Sequence, residues 1–144
     1  MVREMRDDFP VTIYHNPACG TSRNTLAMIE AAGYRPMVVE YLNTGWTRQD
    51  LERLFAAMNA KPRDVLRRKG APAAELGLLE PDVSDDRILE AMVAHPILVE
   101  RPIVITPKGT KLSRPSELVL DLLERRPVSF TKEDGEVVIP TKRE

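Results

Sequence analysis

The chain has 144 residues, of which 42% are hydrophobic and 30% charged, and this composition excludes a disordered chain and predicts one domain over residues 1–144 with its own core. Its 21 Lys and Arg balance 22 Asp and Glu, and the net charge of −1 argues against nucleic-acid binding as the main function, which needs a large positive excess. No apolar run approaches the ~18 residues of a membrane helix, and Met1–Phe9 lacks the apolar core of a secretory signal, so we expect a cytoplasmic protein without a membrane partner.

The first part of the sequence predicts a strand, a helix and a second strand. Val11–Tyr14 is short, β-branched and aromatic, as strands are. Thr21–Ala32 has apolar residues at helical spacing, and Gly33 is placed to end that helix. The second strand is predicted over Met37–Leu42, directly after Pro36. Two strands joined by a helix of this length form a βαβ unit, which is normally parallel and right-handed.

The middle of the chain predicts helices. Thr47 opens the first in a capping-box-like start, and Leu51–Met58 carries apolar residues at i, i+3, i+4 and i+7. A shorter helix is predicted over Pro62–Lys69. Ser84 opens a further helix, which His95-Pro96 closes.

The last part predicts a strand, a turn, a short strand and a helix. Ile103–Thr106 is the first strand, Pro107–Thr110 the turn and Lys111–Ser113 the second strand. The helix opens at Pro115, and its predicted apolar face consists of Leu118, Val119, Leu122 and Leu123. The C-terminal tail, residues 127–144, is mixed and polar, and we expect its end to be frayed.

The order of elements is therefore βαβ, a helical insertion over about residues 43–100, then ββα. An N-terminal βαβ and a C-terminal ββα around a four-stranded mixed sheet is the thioredoxin arrangement. We predict an α/β, thioredoxin-like fold on this basis. In such an arrangement Pro102 lies opposite the turn after the first strand, where the peptide bond before proline is often cis.

Cys19 is the only cysteine, which excludes an internal disulfide and makes a cysteine-based structural metal site implausible. It lies in a turn marked by Pro17 and Gly20, at the start of the predicted first helix. The helix dipole and the unpaired N–H groups there favour the thiolate and form an anion site, to which we assign Gly20 and Thr21. The alternative is a buried, inert cysteine, since free cysteine is often buried.

The residues around Cys19 limit the kinds of cysteine chemistry that the site could perform. A dithiol oxidoreductase would have a second cysteine at Ser22, and a cysteine phosphatase would have an arginine at Thr25. The pattern indicates a monothiol nucleophile whose resolving thiol comes from another molecule. Arg23, and His15 when protonated, would add positive charge, although a satisfied hydrogen bond at a strand end explains His15 equally well. Thr21 and Ser22 are most simply capping residues whose hydroxyls would face a bound anion.

Arginines further along the chain are candidates for completing an anion site. Arginine matches a tetrahedral oxyanion with two parallel hydrogen bonds, which lysine cannot do. Most of these arginines, considered one at a time, are more simply explained as solvated surface charges. Arg101 is the strongest candidate, because its place before Pro102 would point it at the thiol.

The segment His15–Thr25 resembles the active-site motif of the glutaredoxin-coupled, glutathione-dependent arsenate reductases. Further blocks resemble the same family in matching order, and the likeness spans about Val11–Val138. These blocks are Val65–Lys69, His95–Leu98, Arg101–Val104, Arg114–Glu117 and Phe130–Glu136. The resemblance implies a thioredoxin-like enzyme of arsenic detoxification that reduces arsenate to arsenite.

The resemblance also implies a mechanism and site residues. Cys19 would attack arsenate to form a cysteine-bound arsenic(V) adduct, glutathione would attack the adduct as co-substrate, and glutaredoxin would resolve the glutathionylated intermediate. No bound cofactor and no metal is implied. His15 would lie near the thiolate, and Ser22 would hydrogen-bond the sulfur. Three arginines would line the oxyanion site: Arg67, Arg101 and Arg114.

Two alternatives remain open from the sequence. One is a thioredoxin-fold relative with weak or no arsenate activity, which would share Arg101-Pro102. The other is a thioredoxin-fold regulator that contacts RNA polymerase; such regulators typically use Cys-x-x-Cys, from which Ser22 departs. Some relatives also carry a second cysteine where Ser113 stands. A measurement of thiol reactivity would distinguish a reductase from a regulator, because a reductase needs a lowered thiol pKa and a regulator does not.

Overall fold

The computed structural model describes residues 9–140 of the chain. Its strands and α-helices, in chain order, are β1 (Thr12–Tyr14), α1 (Gly20–Ala31), β2 (Met37–Val39), α2 (Tyr41–Thr44), α3 (Arg48–Met58), α4 (Asp85–Ala94), β3 (Ile103–Thr106), β4 (Gly109–Leu112), β5 (Phe130–Thr131) and β6 (Val137–Val138). Shorter 3₁₀ helices span Pro62–Val65, Pro96–Leu98 and Ser116–Leu122. The described residues group into two compact units, one made of the chain up to Glu40 and from Arg101 onward, the other of Tyr41–Glu100.

The first unit is built on a four-stranded mixed sheet with the strand order β2-β1-β3-β4. β1 pairs with β2 in parallel and with β3 antiparallel, and β3 pairs with β4 antiparallel. Ile13 marks the centre, opposite Val38 on one side and Val104 on the other. These directions confirm the predicted βαβ and ββ pairings and the thioredoxin-like α/β class. The peptide bond before Pro102 is cis, as predicted.

The core of this unit lies between the sheet, α1 and the 3₁₀ helix Ser116–Leu122. Burying one large apolar side chain in such a core contributes about 1.5–3 kcal/mol to the free energy of unfolding. The buried members are Phe9, Val11, Ile13, Met28, Ile29, Ala32, Tyr34, Val104, Val119, Leu120, Leu122 and Leu123. The core holds α1 against the strands, and thereby fixes the loop that enters α1.

Three elements of the first unit differ from the sequence prediction. β4 begins at Gly109 rather than Lys111, because Gly109 and Thr110 already pair with β3 and the turn is shorter than predicted. The last helix is a 3₁₀ helix, in which the Leu118 N–H donates to the Pro115 carbonyl three residues earlier. The tighter winding turns Leu120 into the core and leaves Leu118 only partly buried. β2 ends at Val39, because the backbone turns into the short helix α2 and buries Tyr41 there.

The C-terminal tail contains an antiparallel hairpin that was not predicted. Phe130 pairs with Val138 across β5 and β6, and both side chains pack against the core of the first unit. Gly135 forms the turn at φ +96°, a conformation that side chains rarely adopt. The predicted fraying of residues 141–144 lies outside the described residues, as does most of Met1–Phe9.

The second unit, Tyr41–Glu100, contains the whole segment predicted as the helical insertion, and its two longer helices, α3 and α4, begin at the predicted caps. The Thr47 hydroxyl accepts a hydrogen bond from the Asp50 N–H at 3.0 Å, and the Ser84 hydroxyl accepts from the Arg87 N–H at 3.1 Å. The predicted helix Pro62–Lys69 is wrong beyond Val65, because Leu66 is extended and forms an antiparallel bridge with Val99. Within residues 9–140 no helix is long and apolar enough to cross a membrane.

Candidate active site

Cys19 lies in the loop between β1 and α1 and is the N-cap residue of α1. The loop is closed by its own hydrogen bonds: the Cys19 N–H donates to the Asn16 carbonyl at 3.0 Å, and the Asn16 side-chain oxygen accepts from the Ala18 N–H at 2.9 Å. Cys19 is only 8% exposed. The thiol therefore sits at the positive end of a helix, largely shielded from water.

Three hydrogen-bond donors surround the sulfur of Cys19. Burial raises the pKa of the thiol, but hydrogen bonds from the Arg101 guanidinium, the Ser22 backbone N–H and the Arg114 guanidinium outweigh it, so the pKa lies below its ordinary value. Arg114 Nη1 lies 3.8 Å from Cys19 Sγ. This arrangement therefore favours the thiolate, which is the nucleophilic form of cysteine.

Arg101 carries hydrogen-bonding groups that nothing in the described part of the chain satisfies. The residue is 8% exposed, and its Nε and Nη1 are buried and find no acceptor among residues 9–140. Arg114 is held close by, because its Nη1 donates to the Arg101 carbonyl at 2.9 Å. Buried donors without an acceptor are rare and costly, so the pair forms a site prepared for an anion beside the thiol.

Ser22 contributes to this loop in a way the sequence did not anticipate. Its backbone N–H reaches the sulfur, whereas its fully buried hydroxyl hydrogen-bonds His15 Nδ1 at 2.7 Å and accepts from the Asn16 N–H at 3.0 Å. Burial lowers the pKa of His15, outweighing the opposing effect of Glu40. The imidazole is therefore neutral at neutral pH and braces the loop through Ser22.

The predicted anion-site residues Gly20 and Thr21 form the first turn of α1. Gly20 begins the helix directly after the cysteine, and a Cβ there would stand 3.7 Å from Arg23 Nη2, an ordinary contact. The Thr21 carbonyl accepts from the buried Thr25 hydroxyl at 2.8 Å. The backbone N–H groups of this turn are those that a helix cannot satisfy internally.

Comparison with known proteins places this geometry in a family. The model of the ArsC family matches residues 14–122. The chain belongs to the ArsC family. A relative named "Arsenate reductase ArsI2" from Synechocystis sp. is 61% identical over 130 residues, covering 90% of this chain and 93% of the relative. An "Arsenate reductase" from Escherichia coli is 52% identical over 130 residues, covering 90% and 92%.

A solved structure supports the same assignment. The chain is similar to an arsenate reductase from Vibrio cholerae with a TM-score of 0.76 and 40% sequence identity, covering 81% of this chain and all (100%) of that one. A putative arsenate reductase from Yersinia pestis gives a TM-score of 0.72 at 40% identity, covering 77% and 98%. The family resemblance read from the motifs and the thioredoxin-like fold are thus confirmed.

Arg23 and Arg67 differ from Arg101 and Arg114 in that neither donates a hydrogen bond to the sulfur of Cys19. The Arg23 guanidinium, expected to add positive charge at the thiol, is bound by Glu133 at 2.8 and 2.9 Å and by the Pro17 carbonyl at 2.8 Å. Arg67 lies in the second unit, where it donates to Glu100 at 3.1 Å and to the Lys69 carbonyl at 2.8 Å. The assignment of Arg67 to an oxyanion site stays a prediction.

Two further residues take part in the site: Asn16, as the turn-former that the sequence indicates, and Glu133, which sequence reasoning missed. Asn16 closes the cysteine loop through both its carbonyl and its side chain, and an Asn-Pro pair before a helix is a turn pattern that indicates such a role. Glu133 lies in a block that resembles the family, but its partner is more than a hundred residues away in the sequence. No local pattern reveals such a pairing.

Proposed function

We propose that this protein is an arsenate reductase that converts arsenate to arsenite, with Cys19 as its nucleophile and external thiols as reductants. One observation carries the proposal: the buried guanidinium of Arg101 leaves Nε and Nη1 without an acceptor beside a thiol of lowered pKa. Relatives named arsenate reductases, at 52% to 61% identity, support arsenate as the anion.

Arsenate would bind through the arginines and the first turn of α1. The guanidinium of Arg101 has two buried nitrogens, Nε and Nη1, that lack an acceptor among residues 9–140, and each could donate to an oxygen of a bound anion. The backbone N–H groups of Gly20 and Thr21 add the anion-binding capacity of a helix N-terminus. Arg114 supplies further positive charge next to the sulfur.

Reduction then needs two electrons, and Cys19 alone cannot supply them without a second thiol. The thiolate of Cys19 forms a sulfur–arsenic bond and displaces one arsenate oxygen as water, while arsenic stays at the +5 state. The thiol of glutathione, the co-substrate, then replaces a second arsenic oxygen, which leaves as water. Attack of the glutaredoxin thiol on the glutathione sulfur breaks the glutathione–arsenic bond, forms the mixed disulfide and leaves the electron pair on arsenic, which becomes arsenic(III). Water then hydrolyses the Cys19–arsenic bond, which releases arsenite and the free thiol. Overall two thiols become one disulfide and one water forms.

The lowered pKa of Cys19 favours this reductase over a thioredoxin-fold regulator. A regulator that only binds a partner has no need for a thiolate at neutral pH, and no use for a buried arginine with unused donors. The three donors at the sulfur support nucleophilic chemistry instead.

The test is arsenate-dependent NADPH oxidation coupled through glutathione, glutaredoxin and glutathione reductase, for the wild type and Cys19→Ser. We expect turnover that needs arsenate, both thiol components and Cys19. Omission of glutathione or glutaredoxin in turn shows which reductants are used. Turnover retained by Cys19→Ser, or a folded wild-type protein without turnover, contradicts the proposal.

A further inference from the structure

The hairpin β5–β6 is tied to the first turn of α1 by one residue, Glu133. Its two carboxylate oxygens accept from Arg23 Nε at 2.8 Å and from Arg23 Nη2 at 2.9 Å. Its backbone N–H donates to the Asn24 side-chain oxygen at 3.0 Å. Three hydrogen bonds therefore join the hairpin to the residues that follow the reactive cysteine.

The same arginine also holds the loop that precedes the cysteine. Arg23 Nη1 donates to the Pro17 carbonyl at 2.8 Å, so every nitrogen of the guanidinium is engaged. The ion pair lies directly over Gly20, since Arg23 Nη2 and Glu133 Oε1 stand 3.7 and 3.9 Å from the point a Cβ there would occupy. One bidentate pair thus contacts the chain on both sides of Cys19.

The β5–β6 hairpin is held in place by contacts that do not involve the Arg23–Glu133 ion pair. Phe130 and Val138 pack against the core. Lys132, whose side chain is 10% exposed, pairs with Glu117 at 2.7 Å. A carboxylate mounted on such a hairpin can restrain a loop, whereas one on a free tail could not.

We propose that Glu133 is a positioning residue for Cys19: by holding Arg23 it fixes the stretch Pro17–Gly20, so that the sulfur stays aligned with its hydrogen-bond donors. Those donors, Arg101 and the Ser22 N–H, act only over a narrow range of distance and angle. The inference rests on the Cys19 nucleophile of the proposed function, but its test needs no arsenate turnover.

A competing account is electrostatic. Glu133 would then neutralise Arg23 and keep its charge from lowering the thiol pKa, without any effect on geometry. The two accounts differ in sign: screening predicts that loss of Glu133 and loss of Arg23 move the thiol pKa in opposite directions. Positioning predicts that both losses raise it, because either one releases the loop.

The experiment measures the pH profile of Cys19 alkylation by iodoacetamide for Glu133→Gln, Arg23→Gln and the double variant. Glu136→Gln is the matched control, since Glu136 is an exposed carboxylate on the same hairpin that pairs with Lys132 at 3.3 Å. We expect both single variants to raise the thiol pKa and to slow alkylation at pH 7 about two- to fivefold, the range that exposed ion pairs give. The double variant should be no slower than the slower single variant, and the control should match the wild type.

Opposite shifts in the two single variants would overturn the proposal in favour of screening. Shifts no larger than that of Glu136→Gln, or additive effects in the double variant, would overturn it as well. Circular dichroism of each variant confirms that the fold is kept. If these shifts appear in a protein without arsenate turnover, the positioning role stands and the proposed function fails.

Discussion

The lowered pKa of the Cys19 thiol results from two opposing effects that meet at one atom. Burial in a site 8% exposed disfavours a thiolate. Hydrogen bonds from Arg101, Arg114 and the Ser22 backbone N–H favour it and prevail. Because two of the three donors are guanidinium groups also suited to bind an oxyanion, the side chains that lower the thiol pKa are those that, in the proposed function, would bind the substrate.

Replacement of Arg101 by alanine is expected to impair both the binding of the oxyanion and the lowering of the thiol pKa. Turnover of arsenate should fall ~10²–10³-fold, the usual loss for one positioned donor at a developing charge, and the thiol pKa should rise. Coupled turnover and alkylation profiles measure the two effects separately. Arg101→Lys keeps the charge without the two-oxygen match, so its thiol pKa should shift less than that of Arg101→Ala. An unchanged thiol pKa in Arg101→Ala would contradict the assignment.

Acidification should destabilise the protein through His15. Its folded-state pKa is lowered from 6.5 by burial, against the opposing charges of Glu40 and Glu30 and together with that of Arg23. Below about pH 6.5, His15 is therefore protonated in the unfolded chain but still neutral in the folded one. The free energy of unfolding decreases as the pH falls from about 6.5 through the lowered pKa of the folded state. Urea unfolding at pH 7 and pH 5 should show a steeper loss for the wild type than for His15→Gln. Equal losses would show that His15 does not contribute.

At the scale of single elements, the sequence could predict what local patterns determine. The start of α1 at Cys19 and the strands β1 and β3 follow from turn residues and apolar spacing. The hairpin β5–β6 could not be foreseen, because its two-residue strands show no periodicity and are stabilised by packing of Phe130 and Val138 on a distant core. The 3₁₀ winding of Ser116–Leu122 could not be predicted for a different reason: its apolar spacing also suits an α-helix.

In the first turn of α1, Ser22→Ala separates the hydroxyl from the backbone donor. The change leaves the buried Asn16 N–H and His15 Nδ1 without their partner, which should lower the free energy of unfolding by about 1–3 kcal/mol. The backbone N–H at the sulfur remains, so the alkylation rate of Cys19 should stay within about twofold of the wild type, a span that corresponds to less than the net worth of one hydrogen bond. A large rise of the thiol pKa in this variant would show that the hydroxyl, as first expected from the family resemblance, contacts the sulfur.

At the scale of the whole molecule, the site joins segments that lie far apart in the chain. His15–Arg23 comes from the N-terminal βαβ, Arg101 and Arg114 flank the β3–β4 hairpin, and Glu133 comes from the tail. Motif resemblance identified the first two groups from the sequence. It could not show which nitrogens of Arg101 are left unused, because that depends on every neighbour in the folded site. That the chain forms one domain also stays a prediction.

Oxyanion binding should stabilise the folded state as a whole. In Cys19→Ser, which removes the chemistry, arsenate at about 100 times its Kd should add roughly 2.7 kcal/mol to the free energy of unfolding. Thermal unfolding with and without arsenate measures the effect as a rise in Tm. The double variant Cys19→Ser with Arg101→Ala serves as the control and should show little or no rise. An equal rise in both proteins would place the anion elsewhere.

The donor that Ser22 offers to the sulfur belongs to the main chain, and this affects how the site tolerates sequence change. Nearly every amino acid at position 22 supplies the same N–H, so substitutions there can alter the loop without removing that contact with the nucleophile. Proline is the exception, because it has no backbone N–H. Part of the lowering of the Cys19 thiol pKa thus depends on the path of the backbone, which most side-chain substitutions at position 22 leave in place.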